Sequence, residues 1–193
     1  MCIRDRDTAC ARYGLDPERR VVLFVGGSLG AARINELAIA LATTTDDLQV
    51  LHLTGKRYHA EVRGSFGEAV PMHVSLVDYE DRMGDAYAAA DLVVCRAGSS
   101  TLAELTAVGK ASLLIPSPNV TENHQEENAR GLEEVGAARV LIEEGWKIDA
   151  AVSMVRELMA DLAATRRMGE AAKQQARLDA AQRGADVIES ILS

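Results

Sequence analysis

Six short apolar runs, separated by segments of helical spacing, limit what this chain of 193 residues can fold into. The first run, residues 21–25, is Val-Val-Leu-Phe-Val, and such an unbroken run is typical of a strand buried on both faces. The others occupy residues 50–53, 72–76, 91–95, 111–115 and 138–142. Strands that alternate with helices predict a parallel sheet with right-handed crossovers. The predicted fold class is therefore α/β, a doubly wound parallel sheet of Rossmann-like type.

The segments between and after these runs space their apolar residues as helices do. We predict helices at residues 35–43, 58–66, 101–108, 123–135, 149–162, 165–181 and 185–192. The chain is therefore expected to end in C-terminal helices, and its length predicts one domain or at most two small ones. Residues 1–13 start no convincing element, so we expect a linker or a non-native segment before a domain spanning residues 14–193.

Charge and composition exclude several classes of function. The chain has 21 basic and 29 acidic residues and a formal net charge of −8, which disfavours nucleic acid as a partner. Aromatic residues make up 4%, so base-stacking platforms are not expected either. No apolar run approaches the length of about 18 residues that indicates a transmembrane helix. The sparse, odd set of Cys2, Cys10 and Cys95 predicts reduced thiols in a cytosolic protein.

Ligands of open parallel sheets bind beyond the carboxyl ends of the strands, and three loops lie there in this chain. The first, residues 26–31, reads Gly-Gly-Ser-Leu-Gly-Ala and joins a buried strand to a helix. Its glycines would let a ligand reach backbone N–H groups, and a helix N-terminus favours an anion. Gly27 and Ser28 are therefore candidate phosphate ligands. The alternative is a tight turn in which Ser28 serves only as the helix N-cap.

Two familiar phosphate-binding motifs do not fit this chain. A dinucleotide fold requires G-x-G-x-x-G and an acidic residue near the end of the second strand, which here ends in Thr54-Gly55-Lys56. A P-loop requires G-x-x-x-x-G-K-[ST], and neither Gly55-Lys56 nor Gly109-Lys110 satisfies it. The sequence therefore supports neither a dinucleotide enzyme nor a P-loop NTPase.

The second loop, residues 95–104, reads Cys-Arg-Ala-Gly-Ser-Ser-Thr-Leu-Ala-Glu and again joins a strand to a helix. Glu104 has two possible roles. With Thr101 it has the spacing of a capping box, in which the acidic side chain satisfies the backbone N–H of Thr101. Its carboxylate also suits the two hydroxyls of a ribose. The two roles are compatible if only one carboxylate oxygen is used in capping.

The third loop, residues 116–128, is polar and rich in amides. The side chains of Asn123, His124 and Gln125 can each donate and accept hydrogen bonds, which suits the hydroxyls of a sugar. The alternative is a solvated loop capped by Thr121 or Asn123. His124 has neither a nucleophile partner nor the spacing of a metal ligand. Taken together, the three loops predict a site for phosphate, ribose and sugar hydroxyls, which is a nucleotide-sugar site.

Three stretches occur in an order and spacing that are specific to one family. They are residues 26–31, residues 86–105 (Ala-Tyr-Ala-Ala-Ala-Asp-Leu-Val-Val-Cys-Arg-Ala-Gly-Ser-Ser-Thr-Leu-Ala-Glu-Leu) and residues 123–129 (Asn-His-Gln-Glu-Glu-Asn-Ala). They resemble the carboxyl-terminal half of the MurG family, bacterial enzymes that transfer N-acetylglucosamine from UDP-N-acetylglucosamine to undecaprenyl-pyrophosphoryl-MurNAc-pentapeptide. The resemblance implies one half of a GT-B glycosyltransferase, with the active site in the cleft between two Rossmann-like halves.

The resemblance also implies roles for particular residues of this donor-binding half. Ser28 would contact the pyrophosphate, the stretch from Ser99 to Glu104 would follow the phosphate and ribose, and Gln125 with His124 would hold the N-acetylglucosamine. Residues 79–83 would contact uracil, partly through the backbone, although Glu80 stands where the family commonly has an apolar residue. The candidate substrate-binding residues are Gly27, Ser28, Glu80, Ser99, Ser100, Thr101, Glu104, His124 and Gln125.

The family's amino-terminal half carries a G-x-G-G-H loop, the catalytic base and the membrane-docking face, and this sequence holds none of them. We therefore expect no catalytic residue here, a lipid-linked acceptor reached through the other half, and a peripheral location at the cytoplasmic face of the bacterial inner membrane. The implied reaction is inverting, since the 4-hydroxyl of the acceptor attacks the anomeric carbon and UDP leaves. We expect no metal and no cofactor, because a helix N-terminus with backbone donors can stabilise the leaving pyrophosphate.

Two alternatives stay open. Another GT-B enzyme, such as a UDP-N-acetylglucosamine 2-epimerase or a macrolide-type glycosyltransferase, would share the fold and the ribose-binding glutamate but differ in the sugar loop. The Asn-His-Gln run at residues 123–125 favours the transferase. The other alternative is a stand-alone module that binds a nucleotide-sugar.

Overall fold

The computed structural model describes residues 5–27, 29–120 and 123–192. Fifteen elements follow one another in these ranges: α1 (Arg6–Tyr13), β1 (Val21–Val25), α2 (Ala32–Thr44), β2 (Gln49–Leu53), α3 (His59–Gly64), β3 (Val74–Val77), α4 (Met83–Ala89), β4 (Leu92–Cys95), α5 (Ser99–Val108), β5 (Ser112–Leu114), α6 (His124–Glu134), β6 (Arg139–Val140), α7 (Ile148–Ala160), α8 (Leu162–Gln174) and α9 (Ala180–Leu192).

The six strands form one sheet in the order β3-β2-β1-β4-β5-β6. Each neighbouring pair is parallel, which confirms the predicted doubly wound α/β fold. The chain builds outward from β1 to β3 and then returns to place β4 on the other side of β1. Leu23 of β1 is accordingly in register with Leu51 of β2 and with Val93 of β4. The strand order therefore reverses between β1 and β4, where such sheets bind their ligands.

Two apolar layers cover the sheet because successive strand residues point to opposite faces. One layer joins Val21 and Leu23 to α1, α4, α5 and α6. The other joins Val22 and Phe24 to α2 and α7. All four of these β1 side chains are fully buried, which explains why the run in the sequence is unbroken.

Helix α1 belongs to the folded unit, although residues 1–13 are expected to be a linker or a non-native segment. Asp5 caps the helix by accepting a hydrogen bond from the Thr8 backbone N–H at 3.0 Å, and Ala9 and Cys10 are fully buried. The guanidinium of Arg6 donates to both carboxylate oxygens of Asp91, at 3.1 and 2.9 Å. The predicted domain start at residue 14 therefore falls inside the folded unit. Residues 1–4 lie outside the described residues.

Helix α4 is absent from the helices predicted above, because its apolar residues have no helical periodicity. Every residue from Gly84 to Ala89 is buried, so the segment has no polar face to give a helical repeat. Other differences concern boundaries. The strand predicted at residues 72–76 begins two residues later, at Val74. The helix predicted at residues 165–181 is not continuous, since α8 ends at Gln174 and α9 begins at Ala180.

No helix within the described ranges is both long and apolar enough to span a membrane. Over the same ranges, His, Cys, Asp and Glu side chains form no cluster of three or more that could hold a metal ion.

The Arg6–Asp91 pair predicts that α1 contributes to stability. Arg6→Met is expected to lower the free energy of unfolding by about 1–3 kcal/mol, because Asp91 loses a bidentate partner that is only partly exposed. Urea denaturation followed by circular dichroism measures the change. The control is Arg130→Met, which removes a more exposed guanidinium paired with Glu126 and Glu133 and should cost no more than about 0.5 kcal/mol. Equal losses in the two variants would contradict the role given to α1.

Candidate functional site

A cavity of about 360 Å³ opens at the carboxyl edge of the sheet, where the strand order reverses. Five parts of the chain contribute to its wall: the ends of β1 and β2, the segment after β3, and helices α4 and α5. Its lining residues are Val25, Gly27, Leu53, Gly55, Asp78, Tyr79, Glu80, Met83, Tyr87, Ser100, Thr101 and Glu104. The predicted site residues Gly27, Glu80, Ser100, Thr101 and Glu104 thus meet at one cavity.

The glycines after β1 and β2 pack backbone against backbone. A Cβ on Gly30 would lie 2.4 Å from the carbonyl oxygen of Thr54, and a Cβ on Gly55 would lie 2.5 Å from the backbone nitrogen of Gly30. Gly27 differs, since it has a φ of +85° and a Cβ there would meet nothing within 4 Å. Gly30 and Gly55 therefore close the edge of the sheet, whereas Gly27 leaves open space at the cavity.

The N-cap of α2 is Ala31, so the alternative in which Ser28 caps this helix is wrong. Alanine has no side-chain acceptor, and the first-turn N–H groups of α2 are therefore not capped by the residue at this position. Ser28 itself lies outside the described residues.

Helix α5 begins one turn earlier than the capping box requires. Its N-cap is Gly98, which places Thr101 in the first turn and Glu104 in the second. The capping-box interpretation of Thr101 and Glu104 is therefore wrong, because Glu104 is too far along the helix to reach the N-cap. Ser99, Ser100 and Thr101 instead supply the first-turn N–H groups of α5, which favour an anion. Ser100 and Thr101 line the cavity, and Ser99 is exposed beside it.

The carboxylate of Glu104 is half-buried at the cavity wall. Its Oε2 accepts a hydrogen bond from the Tyr87 hydroxyl at 2.8 Å. Tyr87 is 1% exposed, and burial first, then the neighbouring Glu104, raise the pKa of its hydroxyl. Tyr87 therefore stays protonated and donates to Glu104 at physiological pH. Sequence reasoning missed Tyr87, although it lies within the family-like stretch at residues 86–105.

The Glu80 side chain has a structural role. It is 7% exposed, and its carboxylate accepts hydrogen bonds from Arg12 at 3.1 and 2.9 Å and from the Tyr13 hydroxyl at 2.8 Å. The backbone N–H of Arg82 adds a fourth hydrogen bond at 2.7 Å. These partners explain how a carboxylate is accommodated at this buried position. Any contact of Glu80 with a base therefore comes from its backbone and not from its carboxylate.

The mouth of the cavity carries an aromatic ring and a cation. Tyr79 is 49% exposed, and the ammonium of Lys56 lies 4.8 Å from the centre of its ring. Such a distance is typical of a cation–π contact. Lys56 follows Gly55 after the end of β2, and in the sequence it was considered only in the two phosphate-binding motifs that do not fit this chain.

The polar loop before α6 is held from both ends. The Gln125 Oε1 accepts a hydrogen bond from the Ser117 backbone N–H at 3.0 Å, and this bond does not use its Nε2 group. Arg96, which directly follows β4, donates to the carbonyl oxygens of Ile115 and Pro116, both at 3.1 Å, and forms an ion pair with Glu143. Arg96 thus fixes where the loop leaves β5, a role that its sequence position alone does not reveal.

His124 and Gln125 begin α6 and are not among the lining residues of the cavity. Asn123 precedes them as the N-cap, with a φ of 53°, and its side-chain amide donates to Glu126 at 2.8 Å. His124 is exposed. Thr121, named as an alternative cap, lies outside the described residues.

A larger cavity of about 590 Å³ lies at the opposite edge, beside the residues that precede β4 and β5. Three of its four cations are held by the fold: Arg6 pairs with Asp91, Lys110 donates to the carbonyl oxygen of Ala90 at 2.6 Å, and Lys173 donates to that of Ala107 at 2.7 Å. Size alone therefore does not make it the better candidate site, and the chemistry described above favours the cavity at the carboxyl edge.

Comparisons with known proteins show the family to which the chain belongs. Residues 21–184 match the model of the glycosyltransferase family 28 C-terminal domain. The chain is 43% identical over 182 residues to the UDP-N-acetylglucosamine--N-acetylmuramyl-(pentapeptide) pyrophosphoryl-undecaprenol N-acetylglucosamine transferase of Salinibacter ruber, covering 92% of this chain and 48% of the relative. The same enzyme of Listeria monocytogenes is 40% identical over 192 residues, covering 98% of this chain and 52% of the relative.

Solved structures give the same result. The crystal structure of Acinetobacter baumannii MurG superposes with a TM-score of 0.81 at 27% identity, covering 97% of this chain and 54% of that one. The lipopolysaccharide glycosyltransferase WaaG superposes with a TM-score of 0.70 at 17% identity, which shows a shared fold alone. The chain spans about half the length of the curated relatives it matches. The MurG resemblance is thus confirmed, and the chain belongs to glycosyltransferase family 28, in which it matches the C-terminal domain.

Proposed function

We propose that this chain is the donor-binding half of an inverting hexosyltransferase of peptidoglycan synthesis, and that it binds UDP-N-acetylglucosamine at the carboxyl edge of the sheet. The observation that carries the proposal is the half-buried Glu104 carboxylate, which lines one cavity together with Gly27 and the first turn of α5. That arrangement offers an acceptor for ribose hydroxyls beside N–H donors for a diphosphate. The names of the relatives supply the donor and the reaction.

Each part of the donor has a place in the proposed site. The ribose lies on Glu104, and the diphosphate lies between Gly27 and the N-terminus of α5. The uracil contacts the backbone of residues 79–83, and the N-acetylglucosamine extends toward His124 and Gln125. When UDP leaves, the developing negative charge is met by backbone N–H groups and by the positive end of the α5 dipole.

The acceptor side of the reaction is assigned to the half of the relatives that this chain does not cover. In the proposed reaction, the 4-hydroxyl of undecaprenyl-pyrophosphoryl-MurNAc-pentapeptide attacks the anomeric carbon, the glycosidic bond to UDP breaks, and a base in the other half takes the proton. No residue of this chain is proposed as a catalytic residue. The proposed location is the cytoplasmic face of the bacterial inner membrane, reached through that other half.

The proposal predicts that Glu104→Gln weakens the binding of UDP by about 10- to 100-fold, because a neutral amide replaces the charged acceptor of the ribose hydroxyls. Titration calorimetry measures the affinity, and a thermal melt of the same variant checks its fold. The matched control is Glu157→Gln, which removes the same charge from an exposed position on α7 and should leave UDP affinity unchanged. An unaltered affinity in Glu104→Gln would refute the role of this carboxylate.

A second prediction concerns the open space at Gly27. Gly27→Asn keeps a residue that tolerates positive φ but places a side chain in the path of the diphosphate. UDP affinity should fall by about 10-fold or more, whereas uridine affinity should change by less than about 2-fold.

Gly67→Asn is the matched control, since Gly67 has a φ of +72° and equally open surroundings outside the cavity wall. It should bind both ligands as the unaltered chain does. Equal losses of UDP and uridine affinity in Gly27→Asn would show that the loop is structural and does not hold the diphosphate.

A further inference from the structure

We propose that Tyr87 is a positioning residue whose hydroxyl holds the Glu104 carboxylate in the orientation that accepts both ribose hydroxyls. Through this contact Tyr87 would set the preference of the site for nucleotides that carry the full 2′,3′-diol. The inference rests on the proposed function, because it concerns how Glu104 meets the donor.

The contact joins two helices through one short hydrogen bond. Tyr87 lies on α4 and Glu104 on α5, and the distance from the tyrosine hydroxyl to Oε2 is 2.8 Å. Both residues line the cavity at the carboxyl edge. The bond therefore acts on the carboxylate at the point where a ligand would meet it.

Tyr87 is suited to orient a carboxylate without neutralising it. Its ring is 1% exposed within a helix whose residues from Gly84 to Ala89 are all buried, so its hydroxyl has little freedom to move. The hydroxyl is a neutral donor, and its raised pKa keeps it protonated. A lysine or arginine in this place would form an ion pair with Glu104 and compete with the ribose. The tyrosine leaves the negative charge available.

One hydrogen bond also leaves acceptor capacity on the carboxylate. An ionised carboxylate offers about four lone-pair positions, and Tyr87 occupies one of them, on Oε2. A ribose diol needs two acceptor positions, which Oε1 and the remaining position on Oε2 can supply. Fixing the side chain before the ligand arrives lowers the entropy cost of binding.

A second tyrosine–glutamate pair in the same molecule shows the contrast. The Tyr13 hydroxyl lies 2.8 Å from Oε2 of Glu80, but Arg12 and the backbone N–H of Arg82 add three further hydrogen bonds to that carboxylate. Glu80 is therefore saturated by the protein. Glu104 has the same kind of tyrosine partner but lies half-buried at an open cavity, as a ligand acceptor requires.

Helix α4 gives the contact a further consequence. Residues 79–83, whose backbone is proposed to meet the base, lead directly into α4, and Tyr87 lies one turn further on. The same short helix therefore positions the segment for the base and the acceptor for the ribose.

The test is a double-mutant cycle with two ligands. Tyr87→Phe, Glu104→Gln and the double variant are titrated by calorimetry with UDP and with 2′,3′-dideoxy-UDP. Tyr87→Phe should weaken UDP binding by about 3- to 10-fold and dideoxy-UDP binding by less than about 2-fold. In the Glu104→Gln background, the tyrosine substitution should cause no further loss, because there is no charged acceptor left to orient.

Thr106→Val is the control for a purely structural effect, because it removes a buried hydroxyl from α5 that donates to the Leu102 carbonyl at 2.9 Å. It should leave the ratio of the two affinities unchanged. Tyr87→Met, which keeps an apolar side chain in the buried position, serves as the second variant if Tyr87→Phe does not fold, with the same expected ratio.

The outcomes separate the two claims. If Glu104→Gln weakens UDP binding but Tyr87→Phe does not, or if Tyr87→Phe weakens both ligands equally, the inference is overturned and the proposed function stands. If UDP does not bind to the unaltered chain, or binds Glu104→Gln equally well, the proposed function fails and the inference fails with it.

Discussion

Strand β1 pairs with β2 on one side and with β4 on the other, and its side chains enter both apolar layers. Each backbone group of a strand in this position finds a partner in a neighbouring strand, and little of its surface contacts water. The strand order reverses at its flank, so the loops after β1 and β4 separate and leave a crevice. The candidate site is therefore a consequence of where β1 lies in the sheet.

Close backbone packing then determines which residues can form that crevice. Gly30 and Gly55 allow the loops after β1 and β2 to touch, and any larger residue would push them apart. Two carboxylates complete the wall in different ways. The Glu80 carboxylate accepts hydrogen bonds from Arg12, Tyr13 and a backbone N–H group. These bonds connect α1 to the segment after β3. Glu104 keeps acceptor capacity toward the cavity. The same chemical group is thus saturated by the protein at one position and, at the other, has one tyrosine partner and faces the cavity.

The sequence predicts those features whose cause is local. An unbroken apolar run such as residues 21–25 indicates burial on both faces, so the sheet was predictable. The glycines that follow predicted a turn after β1, and Gly27 and Gly30 there have positive φ angles. Helix α4 was not predictable, because full burial removes its polar face. The capping box predicted at Thr101 is wrong because the N-cap of the helix is Gly98, three residues earlier.

Contacts between distant residues were beyond sequence reasoning for a physical reason. Arg12 and Glu80 are 68 positions apart, and Tyr87 meets Glu104 only because the fold brings α4 and α5 to the same cavity. Nothing in the spacing of these residues reveals which carboxylate will be saturated. Glu104 could be named as a candidate from its place after a strand and a small-residue turn, whereas its partner Tyr87 is set by the tertiary fold.

The most direct test of a donor site at the carboxyl edge is a map of backbone amide shifts by nuclear magnetic resonance during titration with UDP. The amides of Gly27, residues 79–83 and residues 100–104 should shift together, while those around Lys110 and Gly169 at the opposite edge should stay unchanged. Shifts concentrated around Lys110 and Gly169, with none at Gly27 and Glu104, would contradict the account.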